Sequence, residues 1–239
     1  MKDQDTTKDQ PSASLKPAAL QLKICGMKYN TAEVAQLQPD YLGFIFYEKS
    51  PRNYDLSEIP SLTLGIKKVG VFVNADLDFV LEKIDQFNFD VIQLHGNESP
   101  EYCEELNHKL DKKLIDKKYG SRIDIWKVFS IKDTFDFSIL EDYEAVVDKF
   151  LFDTKGKEKG GNGYTFDWSV LNDYKAQKPF ILSGGIGLEE LAAVQELQKT
   201  DLPLYAIDVI SKFEDRPGLK HIENLNKLMG SFEPIKRAE

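Results

Sequence analysis

The chain is poor in the residues from which disulfide scaffolds and metal centres are built. Two cysteines, Cys25 and Cys103, stand among 239 residues, neither in a CxxC pair, so no disulfide framework is expected. His95, His108 and His221 are scattered and show no zinc-ligand spacing. Positive charge is short as well. Lys and Arg number 31 against 40 Asp and Glu, and the net charge of −9 argues against a general nucleic-acid binder. A basic pocket for a small anion remains compatible with that balance. No apolar run is long enough to span a membrane, and residues 1–17 have neither the apolar core nor the cleavage signature of a secretory leader. The cysteine usage points to a reducing compartment, and the expected location is cytoplasmic.

What is present is a repeated pattern of short apolar runs and longer amphipathic ones. Residues 1–20 read as a solvated tail, 21–232 as one domain and 233–239 as a C-terminal tail. Strands are expected at Leu22–Cys25, Tyr41–Phe46, Lys68–Val73, Val91–Leu94, Ile123–Phe129, Phe150–Asp153, Pro179–Ser183 and Leu204–Asp208. Most are continuously apolar, which suits parallel strands buried on both faces. Helices are expected from Ala32 to Gln38 with Thr31 as cap, over Asp76–Phe87, from Ser99 through Leu106, and over Leu188–Leu197 and His221–Met229. The charged stretch Lys109–Arg122 reads as a surface excursion. Eight β/α units without a break in composition predict an α/β fold, a single-domain (β/α)8 TIM barrel with a parallel eight-stranded sheet. The alternative is an open doubly wound sheet. No GxGxxG follows the first strand, and polar signatures end nearly every strand, which favours the barrel.

In such a barrel the chemistry stands at the C-terminal strand ends. Strand one ends in Cys25-Gly26, strand two leads to Ser50-Pro51-Arg52, and strand four ends in Gln93-Leu94-His95. Strand six ends in Asp153, with Gly160-Gly161-Asn162-Gly163 beyond it. Ser183-Gly184-Gly185 after strand seven offers bare backbone N–H groups to an anion, and the segment at Ser211 after strand eight can aim at the same point. A tight turn is the plainer explanation of the two glycines. Cys25 and Asp153 are the candidate acid/base pair. Nearby positive charge can lower a thiol toward neutrality, and a carboxyl kept protonated by burial can act as the matching acid. Cys25 as a small core residue, and Asp153 as a cap for its glycine-rich loop, are the alternatives. Arg52 follows a proline and can present its guanidinium to a carboxylate or phosphate. His95 reads as a ligand, a proton shuttle or a hydrogen-bonded strand-end residue, the last favoured because no cysteine or histidine stands near it.

The ordered set KICG, GFIFYEKSPR, KVGVFVN, DVIQLHGNE, FDTKGKEKGGNGYTFDW, ILSGGI and DVISKFEDRPGLK resembles the phosphoribosylanthranilate isomerases of tryptophan biosynthesis, from about residue 22 to residue 230. The resemblance implies a (β/α)8 barrel that needs no metal or organic cofactor and isomerises N-(5-phosphoribosyl)anthranilate by an Amadori rearrangement. It further implies Asp153 as general acid and Cys25 as general base. Arg52 would meet the anthranilate carboxylate, and Asp208 the sugar hydroxyls. Gln93 and His95 count with the substrate-facing residues, and Gly184, Gly185 and Ser211 with the phosphate cradle. The small-molecule substrate is then the partner, with no nucleic acid or membrane, and the chain is a monomer or a homodimer.

The sequence departs from the family pattern at Ile210, where a serine is common, and at His221, where a helix-start aspartate is common. Lys212 is either a phosphate ligand or a solvated side chain. Two other classes compete. An indole-glycerol-phosphate synthase needs a catalytic lysine and glutamates on early strands, and a metal-dependent epimerase needs paired histidines and aspartates. A non-catalytic barrel would have no use for both Cys25 and Asp153 beside a phosphate signature.

Overall fold

The computed structural model describes residues 19–115, 121–132, 134–154 and 167–236. Its frame is a closed barrel of eight parallel strands in sequence order. They are β1 (Gln21–Cys25), β2 (Tyr41–Phe46), β3 (Lys67–Phe72), β4 (Val91–Leu94), β5 (Asp124–Ile131), β6 (Lys149–Thr154), β7 (Phe180–Leu182) and β8 (Leu204–Val209). β8 closes on β1 with Lys23 beside Asp208, so a residue near the start of the domain meets one near its end.

Strand alternation divides the apolar residues into two cores. Tyr41, Val69, Val71, Val91, Trp126, Val128, Leu151, Ile181 and Ala206 fill the barrel together with Cys25. Their neighbours Leu22, Ile24, Leu42, Phe44, Phe72, Ile92, Phe150, Phe152 and Ile207 point outward and pack under the helices. Both faces are buried, which is why the strands read as continuous apolar runs rather than alternating ones.

The helices are α1 (Thr31–Ala35), α2 (Leu77–Phe87), α3 (Pro100–Ile115), α4 (Leu191–Gln198) and α5 (Ile222–Lys236). On α2, Val80, Ile84 and Phe87 recur at helical spacing and are the buried stripe. α1 begins at Thr31 itself, not after it. Asn30 stands at its cap position, but the Asn30 carboxamide is engaged elsewhere: it donates to Lys220 O and accepts from Lys220 N, both at 2.9 Å. α3 runs past Leu106 into the charged stretch, where Lys109 pairs with Glu105 at 3.4 Å and Lys113 with Asp85 at 3.0 Å. α4 starts at Leu191, later than the Leu188 read from periodicity.

Regular crossover helices are not found after β2, β5 and β6 among the described residues. The β2–β3 connection carries Pro51 and Pro60 and is irregular, anchored by the buried Tyr54, whose hydroxyl donates to Glu58 O at 2.6 Å. The other two hold single 3₁₀ segments, Phe137–Tyr143 and Trp168–Asp173. Each is opened by an aspartate, Asp136 or Asp167, that accepts from the serine N–H two residues on at 3.0 Å. A short antiparallel hairpin, β9 (Glu214–Arg216) and β10 (Leu219–Lys220), follows β8 and had no counterpart in the periodicity.

Candidate active site

The inward face of β1 carries Lys23 and then Cys25, and Cys25 pairs in register with Gly43 on β2. Gly43 also points into the barrel, and a side chain there would reach within 2.6 Å of the Cys25 sulfur. Room for the thiol is therefore made by a missing side chain on the neighbouring strand. Cys25 lines a cleft with Ile45, Tyr47, Ser50, Arg52, Val71, Val73, Gln93, His95 and Ile210. A second cleft is lined by Asp153, Ser183, Gly184, Gly185, Ile186, Asp208, Ile210 and Ser211. Ile210 belongs to both, so the two clefts adjoin at the C-terminal rim. A larger cavity of about 640 Å³ opens beside them around Lys127, Phe129, Phe135 and Tyr143. It shares only His95 with the two clefts and contains neither Cys25 nor Asp153.

Asp153 is buried at the end of β6, with Oδ2 3.4 Å from His95 Nε2. That contact is an ion pair when the imidazole is protonated. His95 thus joins the cleft of Cys25 to that of Asp153. Gln93 projects inward from β4 with Oε1 buried and without a hydrogen-bond partner among the described residues. Asp208 gives one carboxylate oxygen, Oδ2, to Lys23 Nζ at 2.7 Å, while Oδ1 is likewise unpartnered. His95 Nε2 is also without a hydrogen-bond partner among the described residues, so three buried polar atoms at the two clefts have bonding capacity that a ligand could use.

Gly184 adopts φ +90, and a Cβ there would lie 2.2 Å from Thr154 Oγ1. Only glycine allows the β7 end to run that close to β6. Ser211 opens a 3₁₀ turn, Ser211–Phe213, beside these glycines. Lys212 is exposed and outside the cleft, its stem lying beside Gly187. The glycines at 160, 161 and 163 and the lysines at 155, 157 and 159 lie outside the described residues.

Arg52 does not project freely from its loop. Its Nε lies 2.9 Å and its Nη2 2.7 Å from Glu214 Oε2, with Nε also 3.1 Å from Oε1. Glu214 further accepts from Lys220 Nζ at 2.9 Å and from Gly218 N at 3.1 Å. Lys220 donates in addition to the Cys25 carbonyl oxygen. The hairpin therefore holds both Arg52 and the strand end that carries Cys25. Burial works against the Glu214 charge, but Arg52 and Lys220 outweigh it and hold the carboxyl below its ordinary value. Lys220 itself is lowered by burial despite Glu214.

The thiol differs from the sequence expectation. Burial pushes Cys25 up, and Lys23 and Lys220 pull it back only in part. Proximity of cations was the correct expectation, but the cost of burying a thiolate exceeds it. Cys103 sits buried on α3 and is pushed up to about 12, again by burial first, in keeping with a packing role. Sequence reasoning missed Lys23, Lys220 and Glu214. Lys23 was legible as an inward position two residues before Cys25, and the Pro-Gly turn at 217 and 218 marked the hairpin that carries the other two.

A closed parallel barrel whose polar side chains gather at the C-terminal strand ends defines a TIM-barrel enzyme. The sequence profile described as "PRAI: N-(5'phosphoribosyl)anthranilate (PRA) isomerase" matches residues 22–231. The chain belongs to the phosphoribosylanthranilate isomerase family of tryptophan biosynthesis and is an isomerase of that kind. The N-(5'-phosphoribosyl)anthranilate isomerase of Parabacteroides distasonis is 42% identical over 216 residues, covering 87% of this chain and 91% of that one. The Phocaeicola vulgatus enzyme is 35% identical, covering 83% and 91%. The crystal structure of the Thermus thermophilus phosphoribosyl anthranilate isomerase superposes with a TM-score of 0.73 at 26% identity, over 90% of this chain and all of that one. Among the described residues no helix is long and apolar enough to cross a membrane, and no cluster of His, Cys, Asp and Glu could hold a metal ion.

Proposed function

We propose that Cys25 is the general base and Asp153 the general acid in converting N-(5-phosphoribosyl)anthranilate to 1-(2-carboxyphenylamino)-1-deoxyribulose 5-phosphate. The observation that carries this reading is the adjacency of the two clefts, which share Ile210 and are bridged by the contact of His95 with Asp153. The glycine-lined cleft suits the phosphate, with Gly184, Gly185 and Ser211 as its cradle. The cleft walled by Ile45, Val71 and Val73 suits an aromatic ring, and Arg52 at its rim suits the ring's carboxylate. Glu214 takes up Nε and one N–H of Nη2 of Arg52, which leaves the outer N–H groups of Nη1 and Nη2 for the substrate carboxylate. The ribose then lies between Cys25 and Asp153.

Asp153 donates its proton to the furanose ring oxygen as the C1–O bond breaks, while the lone pair of the anthranilate nitrogen forms the C1=N bond of an iminium. The Cys25 thiolate removes the proton from C2, and those electrons neutralise the iminium to give an enolamine. Tautomerisation then yields the ketone. Unpartnered Gln93 Oε1 and Asp208 Oδ1 accept from substrate hydroxyls. His95, with Nε2 3.4 Å from Asp153 Oδ2, stands beside the carboxyl and faces the substrate. The reaction uses protons alone, so no cofactor enters the scheme. In this reading the protein is cytoplasmic and acts as a monomer or homodimer on a small molecule.

The test is loss of anthranilate-type fluorescence with freshly generated substrate in the presence of a chelator. Wild type turns over; Asp153→Asn, which keeps shape but removes the acid, does not. Cys25→Ser loses most activity because a hydroxyl is a far weaker base. Near-wild-type rates in either variant would overturn the role of that residue.

A further inference from the structure

Two fully buried lysines flank Cys25, and the scheme above gives neither of them a task. An apolar residue would fill either position without the penalty of burying an ammonium, so a charge there calls for a use. Lys23 and Cys25 share the inward face of β1. Lys23 Nζ is held 2.7 Å from Asp208 Oδ2, on the adjacent strand and in direct register. Lys220 reaches in from the hairpin but bonds the backbone carbonyl of Cys25, with its charge met by Glu214 at 2.9 Å.

The charged groups around the thiol come from every wall of the cleft. β1 supplies Lys23 and β8 Asp208; the hairpin supplies Glu214 and Lys220; the loop after β2 supplies Arg52 and Tyr47. β4 and β6 supply His95 and Asp153, in contact with each other. Around β1 and the hairpin, the cations Lys23, Lys220 and Arg52 face the anions Asp208 and Glu214. A thiolate at Cys25 would be a further anion facing those cations.

We infer that Lys23 is a positioning residue for the reaction, its ammonium, fixed by Asp208, supplying the counter-charge that makes the Cys25 thiolate attainable inside the barrel. The inference rests on the reading of Cys25 as the base. Consistent with it, Lys23 is the leading influence drawing the thiol down against burial, and Asp208 acts in the opposite sense. Burial opposes the Lys23 charge in turn, yet Asp208 and Cys25 hold that ammonium above the ordinary lysine value.

The test follows alkylation of Cys25 by iodoacetamide against pH, with Cys25 resolved from Cys103 by peptide mass spectrometry. Lys23→Met alone would leave Asp208 buried and unpaired, so the decisive comparison is Asp208→Asn against the double variant Lys23→Met/Asp208→Asn. They differ only at Lys23, and near-ultraviolet circular dichroism checks that both fold. Should the double variant fail to fold, Lys23→Gln/Asp208→Asn, whose side chains can bond each other, gives the same comparison. The alkylation midpoint is expected to fall in Asp208→Asn relative to wild type. It should then rise by about one pH unit or more when Lys23 is also removed, the size of effect a close opposite charge has on a titrating group. Coincident midpoints in the single and double variants would overturn the role of Lys23. Because alkylation reads the thiol whether or not the enzyme turns over, this outcome is separate from that of Cys25→Ser. Full activity in Cys25→Ser would remove the base assignment itself.

Discussion

Gly43 and Cys25 stand side by side on β2 and β1, and a methyl group on Gly43 would lie 2.6 Å from the Cys25 sulfur. The position of the thiol is set by this absent side chain as much as by its own strand. Gly43→Ala is therefore expected to displace the sulfur or part the two strands. Misplacing a reacting group by roughly 1 Å can cost about 100-fold in rate, and overpacking a core typically costs about 1–3 kcal/mol. Steady-state kinetics should show kcat/KM falling by one to two orders of magnitude, with a lower Tm. Unchanged kinetics would mean that the thiol does not need this place.

Gly184→Ala tests the other cleft. The residue combines φ +90 with a Cβ position 2.2 Å from Thr154 Oγ1, so alanine is both strained and obstructed. Strain of this kind costs about 1–3 kcal/mol, and it would be relieved by moving the β7 end away from β6. The cradle moves with it. KM for the phosphorylated substrate is expected to rise about tenfold or more, with a smaller effect on kcat.

Much of the barrel was legible because its strands are buried on both faces and stand out as apolar runs between turns. The runs beginning at Tyr41 and Val91 match the observed strands to the residue. The candidate site was legible for the same reason, since a barrel of this kind gathers its strand ends. Cys25 and Asp153 are placed in adjoining clefts by topology alone. What escaped the sequence depends on pairing across long separations. Lys23 is an ordinary strand lysine until Asp208, 185 positions away, comes beside it. Arg52 reads as a loose loop residue until the hairpin brings Glu214 to its guanidinium. The direction of the Cys25 shift was hidden likewise, because burial is a property of the closed barrel and not of the strand.

Glu214 should give the fold a defined acid sensitivity. Its folded carboxyl lies below the ordinary value of 4.5, because Arg52 and Lys220 outweigh the burial that opposes its charge. A depressed carboxylate contributes stability that is fully present above its unfolded value and is lost as pH falls through the folded one. Urea midpoints should therefore drop as the buffer passes below about pH 4.5, the ordinary value of the group. Glu214→Gln should flatten that part of the profile. At neutral pH the variant should be less stable by about 3–5 kcal/mol, the usual result of removing one partner from a buried charge network. A wild-type acid profile in Glu214→Gln would show that other carboxylates carry the effect.

His221 stands at the start of the last helix, and its imidazole supplies a cap. His221 Nδ1 accepts from Asn224 N at 3.3 Å, while His221 O accepts from Leu225 N at 3.1 Å as α5 begins. The same residue's N–H bonds Phe213 O at 3.0 Å, so the cap also ties the helix to the segment after β8. Loss of a side-chain cap costs about 1 kcal/mol. His221→Ala should lower Tm accordingly and leave kcat within about twofold, because the imidazole does not line either cleft. His221→Asp restores an acceptor at the same position and adds a negative charge at the helix N-terminus, which is favourable there by about 0.3–1 kcal/mol. Against that, Asp215 lies 3.9 Å from the imidazole Nε2 and would repel a carboxylate in its place. The shorter aspartate side chain does not reach as far toward Asp215, so His221→Asp is expected to match wild type. A loss equal to that of His221→Ala would mean that the imidazole stabilises through Asp215 rather than through the cap.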